Sequence, residues 1–180
     1  MKYVKYKWFF SWEYEKEENW LNEMSAIGLQ LVSVNFMKYT FEDGKDGEYT
    51  YRIQLLDSSP SNIENIKYIK FLEELGIEHV ATMSNWIYLR KKSADGEFEL
   101  FSDLDMKIKQ YNNIKIILAI PLPLNIINSS NNFGSYLKTK NSVSLTASIA
   151  CLVVSILLII GVFYMNKKIK SLRRERSIRE

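Results

Sequence analysis

GLQLVSVNFMKYTF, residues 28–41, sets the frame for the fold: a glycine followed by a long run in which apolar and polar positions alternate. GIEHVATMSNWIYL, residues 76–89, has the same form. Each glycine closes a helical pattern and each run reads as one strand, Leu29–Phe41 and Ile77–Lys91. Before Gly28, Trp20, Leu21, Met24 and Ile27 make one apolar stripe over Glu13–Ile27. Before Gly76, Ser61 and Glu64 have the S-x-x-E form of a capping box, opening a helix to about Leu75 with Ile66, Ile69, Leu72 and Leu75 inward. Each helix carries an aromatic-aliphatic pair eight residues before its glycine, Trp20-Leu21 and Tyr68-Ile69.

Working outward, Lys2–Trp12 alternates like a strand with aromatics on both faces. EDGKDG, residues 42–47, carries two Asp/Gly turn signals and predicts a hairpin between Leu29–Phe41 and Glu48–Leu56. Glu97–Phe101 reads as a short added strand. The order β-α-β-β-α-β plus one strand predicts an α+β, ferredoxin-like sandwich over residues 1–102, with both helices on one face of an antiparallel sheet.

The C-terminal third has a different character. SVSLTASIACLVVSILLIIGVFYMN, residues 142–166, holds no charge and is long enough to cross a hydrocarbon core of about 30 Å. Phe163 and Tyr164 suit an interfacial belt, and a basic tail, residues 167–180, follows at once. IKIILAIPLPLNIIN, residues 114–128, is a weaker apolar run interrupted by Pro121, Pro123 and Asn125. The N-terminal stretch lacks a signal-length apolar run, so the first domain is expected in the cytosol. A cytosolic tail then requires two crossings. The expected plan is a connecting helix at 103–113 capped from Ser102-Asp103, a first span at 114–130, an external loop at 131–141, a second span at 142–166 and a cytosolic tail. Fold class and anchor together read as an α+β domain followed by a C-terminal transmembrane helical hairpin.

Charge follows the same division. Residues 1–110 hold 14 Lys or Arg against 19 Asp or Glu, net −5, and residues 167–180 hold 7 against 2, net +5. That pattern gives no reason to expect nucleic acid as a partner, and it puts basic residues where a bilayer takes them. Lys167, Lys168, Lys170, Arg173 and Arg174 are candidates for anionic lipid contact. Ala147, Cys151 and Ser155, four residues apart, predict a small-residue packing ridge.

Few residues suggest chemistry. His79 is the one histidine and Cys151 the one cysteine, so neither a metal set nor a nucleophile-base pair assembles from the sequence. Glu13, Glu15, Glu17 and Glu18 read as a solvated helix start that complements the dipole. Asp43, Asp46 and Glu48 lack calcium-loop spacing and read as turn residues. No enzyme activity, metal or cofactor is expected. The remaining signal is aromatic: Trp8, Phe10, Trp12, Phe36, Tyr39, Tyr49, Tyr51, Trp86 and Tyr88. Of these, Trp8, Phe10, Trp12, Trp86 and Tyr88 are the candidate binding residues, on a sheet face free of helices.

WFFSW at Trp8, EKEENWLNEMSAIGLQL, YTFEDGKDGEYTYRIQLL, FLEELGIEHV and GEFELFSD together resemble a bacterial family of unknown function, the domain-of-unknown-function family numbered 2812. The resemblance runs from Trp8 to Ser102, and Leu29 stands where a larger aromatic is expected. It implies a small membrane protein of Firmicutes, often encoded near PadR-like transcriptional repressors, and supplies no catalytic residue. The expected function is a membrane-anchored, non-enzymatic sensory or regulatory module whose cytosolic domain binds a protein partner or apolar ligand. The alternative is an accessory subunit of a transporter or other membrane complex, assembled through the transmembrane hairpin.

Overall fold

The computed structural model describes residues 1–100 and 104–179. It divides into two compact units, Met1–Ser102 and Asp103–Glu180.

The N-terminal unit is a duplicated β-α-β-β. The first copy is β1 (Lys2–Tyr6), α1 (Tyr14–Ala26), β2 (Leu29–Asn35) and β3 (Lys38–Asp43). The second is β4 (Tyr49–Leu55), α2 (Ile63–Glu74), β5 (Glu78–Met83) and β6 (Trp86–Lys92). Each copy builds a three-stranded antiparallel ladder with its last strand central, β1-β3-β2 and β4-β6-β5. Local irregularities recur 48 residues apart, 28 to 76. Gly28 has φ +76° and Gly76 φ +78°. The ladder slips between Leu31 and Ser33 in one copy and between His79 and Ala81 in the other. The hairpin turns fall at 36–37 and 84–85.

The expected ferredoxin-like sheet is therefore not what the strands build: six strands divide between two ladders. Leu29–Phe41 and Ile77–Lys91 are each a hairpin, not one strand. A two-residue turn shifts the alternation by one position: Val34 and Tyr39 pair across it and are both buried, although they lie five positions apart. EDGKDG does not join paired strands; it links the two copies. Gly44 N–H donates to the Gly28 carbonyl at 2.8 Å and Gly47 N–H to that of Ser25 at 2.7 Å, pinning the link to the end of α1. Glycine suits position 28 because its φ of +76° is left-handed and a Cβ would come within 3.0 Å of the Gly44 carbonyl oxygen.

Two helix readings also shift. Asn62, not Ser61, caps α2, its Oδ1 accepting from Glu64 N–H at 3.1 Å. Leu72 is buried, but Ile66 and Leu75 are exposed, as is Ile27 at the end of α1. Residues 97–100 form no strand; Phe98 instead buries itself with Leu56, Leu72, Ile87 and Leu89. Phe101 lies outside the described residues, as do Ser102 and Asp103 of the expected cap.

In the C-terminal unit, α3 (Leu104–Ala119) and α4 (Pro121–Thr139) run back alongside α5 (Ser142–Arg179). Pro121 and Pro123 break the first arm because they remove two helical donors. The expected loop at 131–141 is helix as far as Thr139. Lys140, left-handed at φ 55°, makes the turn, and Asn141 Oδ1 caps α5 on Val143 N–H at 2.9 Å. Ser129 and Ser148 donate to each other's carbonyls, both at 2.9 Å, knitting α4 to α5. α5 is long and apolar enough to cross a membrane. It continues unbroken through the basic tail to Arg179.

Candidate functional site

Two arrangements in the N-terminal unit stand out, one at the surface and one buried.

The surface arrangement begins where β1 ends. Lys7 N–H donates to the Met37 carbonyl at 3.0 Å, which holds the segment after β1 against the β2–β3 turn. Trp8 there packs edge-on to Phe36 at 5.4 Å and to Phe10 at 5.8 Å between ring centroids. Phe10 stacks flat on Trp12, 4.4 Å apart and within 5° of parallel. Trp8 is 50% exposed and Phe36 68%, so the outer end of this ladder is an open apolar patch. Met37 beside it has φ 58°, a left-handed conformation that costs a residue with a Cβ about 1 kcal/mol. Lys7 covers the inner side, its ammonium 4.8 Å from the Trp20 ring and 5.1 Å from that of Phe9.

The buried arrangement centres on Glu17. Its Oε1 accepts from Tyr39 Oη at 2.8 Å and from Tyr88 Oη at 2.7 Å. Tyr39 is on β3 and Tyr88 on β6, so one carboxylate ties together the central strands of both ladders. Glu17 forms no ion pair among the described residues. Burial without a cation outweighs the two phenol donors and holds the carboxyl above its usual range. Burial, with the neighbouring Glu17 charge, pushes both phenols well above theirs. Trp20 covers this core, edge-on to Tyr39 at 4.9 Å.

α1 performs a second task. The outer edge of β4 presents unpaired backbone groups, and α1 side chains meet them. Glu18 Oε2 accepts from Ile53 N–H at 3.0 Å, Asn22 bonds both N–H and carbonyl of Tyr51 at 2.7 and 3.2 Å, and Ser25 donates to the Tyr49 carbonyl at 2.6 Å. Glu18, Asn22 and Ser25 lie one helical turn apart, matching alternate residues along a strand.

The candidate residues thus separate. Trp8, Phe10 and Trp12 come together with Phe36. Trp86 packs elsewhere, tilted on Tyr14 at 5.6 Å. Tyr88 is 1% exposed and serves the Glu17 cluster, which corrects its reading as an open-face residue. The acidic run is not uniformly solvated: Glu17 is 7% exposed and Glu18 half-buried. Spacing carried the missed signal, since Glu17 precedes Trp20, Leu21 and Met24 by three, four and seven positions and so shares their face.

In the C-terminal unit Ser155 is buried, Ala147 and Cys151 half-buried. Lys167, Lys170, Arg173 and Arg174 are exposed, whereas Lys168 lies over the rings of Tyr111 and Tyr164 at 5.7 and 5.5 Å. Among the described residues no His, Cys, Asp and Glu cluster suits a metal ion.

Compared with known families, residues 13–122 match one described as protein of unknown function, DUF2812. The match spans α1 through α3 and stops as α4 begins. No curated protein and no solved structure matches the chain significantly.

Proposed function

We propose, from the premise that the chain belongs to the DUF2812 family of proteins of unknown function, that it is a membrane-anchored, non-enzymatic regulatory module. The N-terminal unit takes a protein partner or apolar ligand on Trp8, Phe10 and Trp12, and the helical hairpin holds that unit at the bilayer. The observation that carries this reading is the ladder itself: four aromatic rings in sequence, two of them half exposed or more, beside a well-packed core. Open apolar area of this kind costs solubility and marks a contact surface.

For the anchor, α5 supplies one crossing, and α3 with α4 runs antiparallel beside it. Two crossings keep the basic end of α5 and the N-terminal unit on one side, the cytosolic one by the positive-inside rule. A straight α5 rises about 1.5 Å per residue, so Lys167 and Lys170 lie near the headgroups while Arg173 and Arg174 reach beyond them.

The reading is tested by Trp8→Ala with Trp12→Ala in the full-length chain. Loss of partner or ligand capture with unchanged thermal stability supports it. A fall in stability typical of core aromatics, about 3 kcal/mol or more, removes it.

One observation favours the alternative of an accessory subunit. Asn128 is exposed on α4 within the first span expected at 114–130, and Asn131 is exposed just past its end. Amides facing lipid need partners, which another membrane protein's helix supplies. Asn128→Leu with Asn131→Leu abolishes co-purification of membrane subunits on this reading, and leaves it intact on the first.

A further inference from the structure

The duplication provides an internal control. The two hairpins share their glycine, their ladder slip and their turn position, yet differ at the tip: Phe36-Met37 in one, Ser84-Asn85 in the other. Ser and Asn are ordinary turn residues, and Ser84 takes its φ of 56° beside a polar neighbour. Phe36 and Met37 are poor ones. They accept a left-handed φ at Met37 and expose 68% of one side chain and 37% of the other. Trp8 adds a half-exposed indole against Phe36, and has no such role in the second copy. Both turns carry a left-handed residue with a Cβ, but only one exposes apolar side chains there, which marks a tip shaped for an apolar medium.

Charge identifies the medium. Residues 1–12 carry Lys2, Lys5 and Lys7 and no acid, and residues 33–41 carry Lys38 and no acid. Lys38 follows Met37 and faces Tyr6 across the ladder. An indole, a phenyl and a thioether, with Lys7 next to Trp8 and Lys38 next to Met37 in the chain, suit the zone between anionic headgroups and acyl chains. The same chain carries a helix able to span a bilayer, which keeps that surface at high effective concentration.

We propose that Trp8, Phe36 and Met37 form a tip that docks on an anionic phospholipid bilayer, seating the tethered N-terminal unit against the membrane. This rests on the anchoring reading above and names the partner at the outer end of the ladder.

The test uses the full-length chain with Cys151→Ser, reconstituted in vesicles of phosphatidylcholine with phosphatidylserine. A nitroxide is attached at Met37→Cys, Asn85→Cys or Val154→Cys in turn, and its collisions with oxygen and with a water-soluble nickel complex are compared. The expected result is a lipid signature at Met37, shifted toward water when phosphatidylserine is omitted, and a water signature at Asn85. A Met37 label as water-exposed as Asn85, with Val154 in lipid, overturns the docking while the anchor stands. A water signature at Val154 removes the anchor and the proposal with it. A Met37 label that is in water on vesicles but immobilised in native membranes assigns the tip to a protein partner and also overturns it. Phe36→Ser, which leaves the core untouched, must lose the phosphatidylserine-dependent shift of a label placed at Met37.

Discussion

The two β-α-β-β copies share a scaffold and divide the work. The second copy has a polar turn at Ser84-Asn85 and a core of Leu56, Leu72, Ile87 and Leu89 closed by Phe98. The first has an apolar turn at Phe36-Met37, and a helix whose polar side chains reach across to the second copy. α1 seals the edge of β4 through Glu18, Asn22 and Ser25. Their counterparts 48 residues on, Ile66, Lys70 and Glu73, are all exposed. Once one copy supplies the junction, the equivalent positions in the other are free to change. What the copies retain is backbone geometry, and what they vary is surface chemistry.

That contrast can be broken at its strongest point first. Glu17→Ala leaves two buried phenol hydroxyls without an acceptor and opens a cavity between the ladders. We expect a loss of about 3–5 kcal/mol in denaturant unfolding. Asn65→Ala, at the equivalent position of α2, costs about 1 kcal/mol, since among the described residues the Asn65 side chain bonds the Ser58 and Ser59 carbonyls and the Ser58 hydroxyl. Equal losses would show that Glu17 does not join the copies.

Asn22→Ala strips the cap from Tyr51 N–H and carbonyl at the β4 edge. About 2–3 kcal/mol should be lost, against less than about 0.5 kcal/mol for Lys70→Ala, its exposed counterpart. Next in size is the turn. Phe36→Asn with Met37→Gly replaces the apolar tip by ordinary hairpin chemistry and should raise stability by about 1 kcal/mol while removing bilayer docking. Gain of stability with docking retained would separate the strain from the function.

Smallest is the pH effect. The folded chain holds the Glu17 proton where the unfolded chain has already released it, because the folded pKa is raised. The associated stability is present below the unfolded value and is lost as pH rises through the folded one. The melting temperature of the native chain should therefore fall, relative to Glu17→Gln, as pH rises above the ordinary carboxylate range. Parallel profiles would mean that Glu17 keeps an ordinary pKa in the fold.

The sequence made the long elements legible for physical reasons. Gly28 and Gly76 mark helix ends because both need left-handed backbone, and the uncharged run after Ser142 has one plausible solvent. The first hairpin was hidden because Phe36-Met37 carries no turn chemistry to announce itself; the signal that could have found it is the inward phase, which moves from Val34 to Tyr39 and Phe41 across the turn. Asp43, Gly44, Asp46 and Gly47 did announce a turn, but turn residues say that the chain bends, not which strands it joins. Of the candidate site, Trp8, Phe10 and Trp12 were readable from composition alone. Tyr88 was misplaced because an aromatic on a central strand looks the same on either face until its partner, Glu17, is identified. Glu17 was readable from its helical spacing, yet its neighbours Glu13 and Glu15 disguised it as part of a solvated run.

Everything proposed for the surface of the N-terminal unit depends on which side of a membrane it occupies. The direct measurement is reaction of a membrane-impermeant maleimide with single cysteines in a Cys151→Ser chain on intact cells. Lys138→Cys, in the last turn of α4, should react at once, and Asn85→Cys should react only after the cells are permeabilised. Labelling of Asn85→Cys in intact cells, or protection of Lys138→Cys until lysis, would contradict a cytosolic unit held by two crossings.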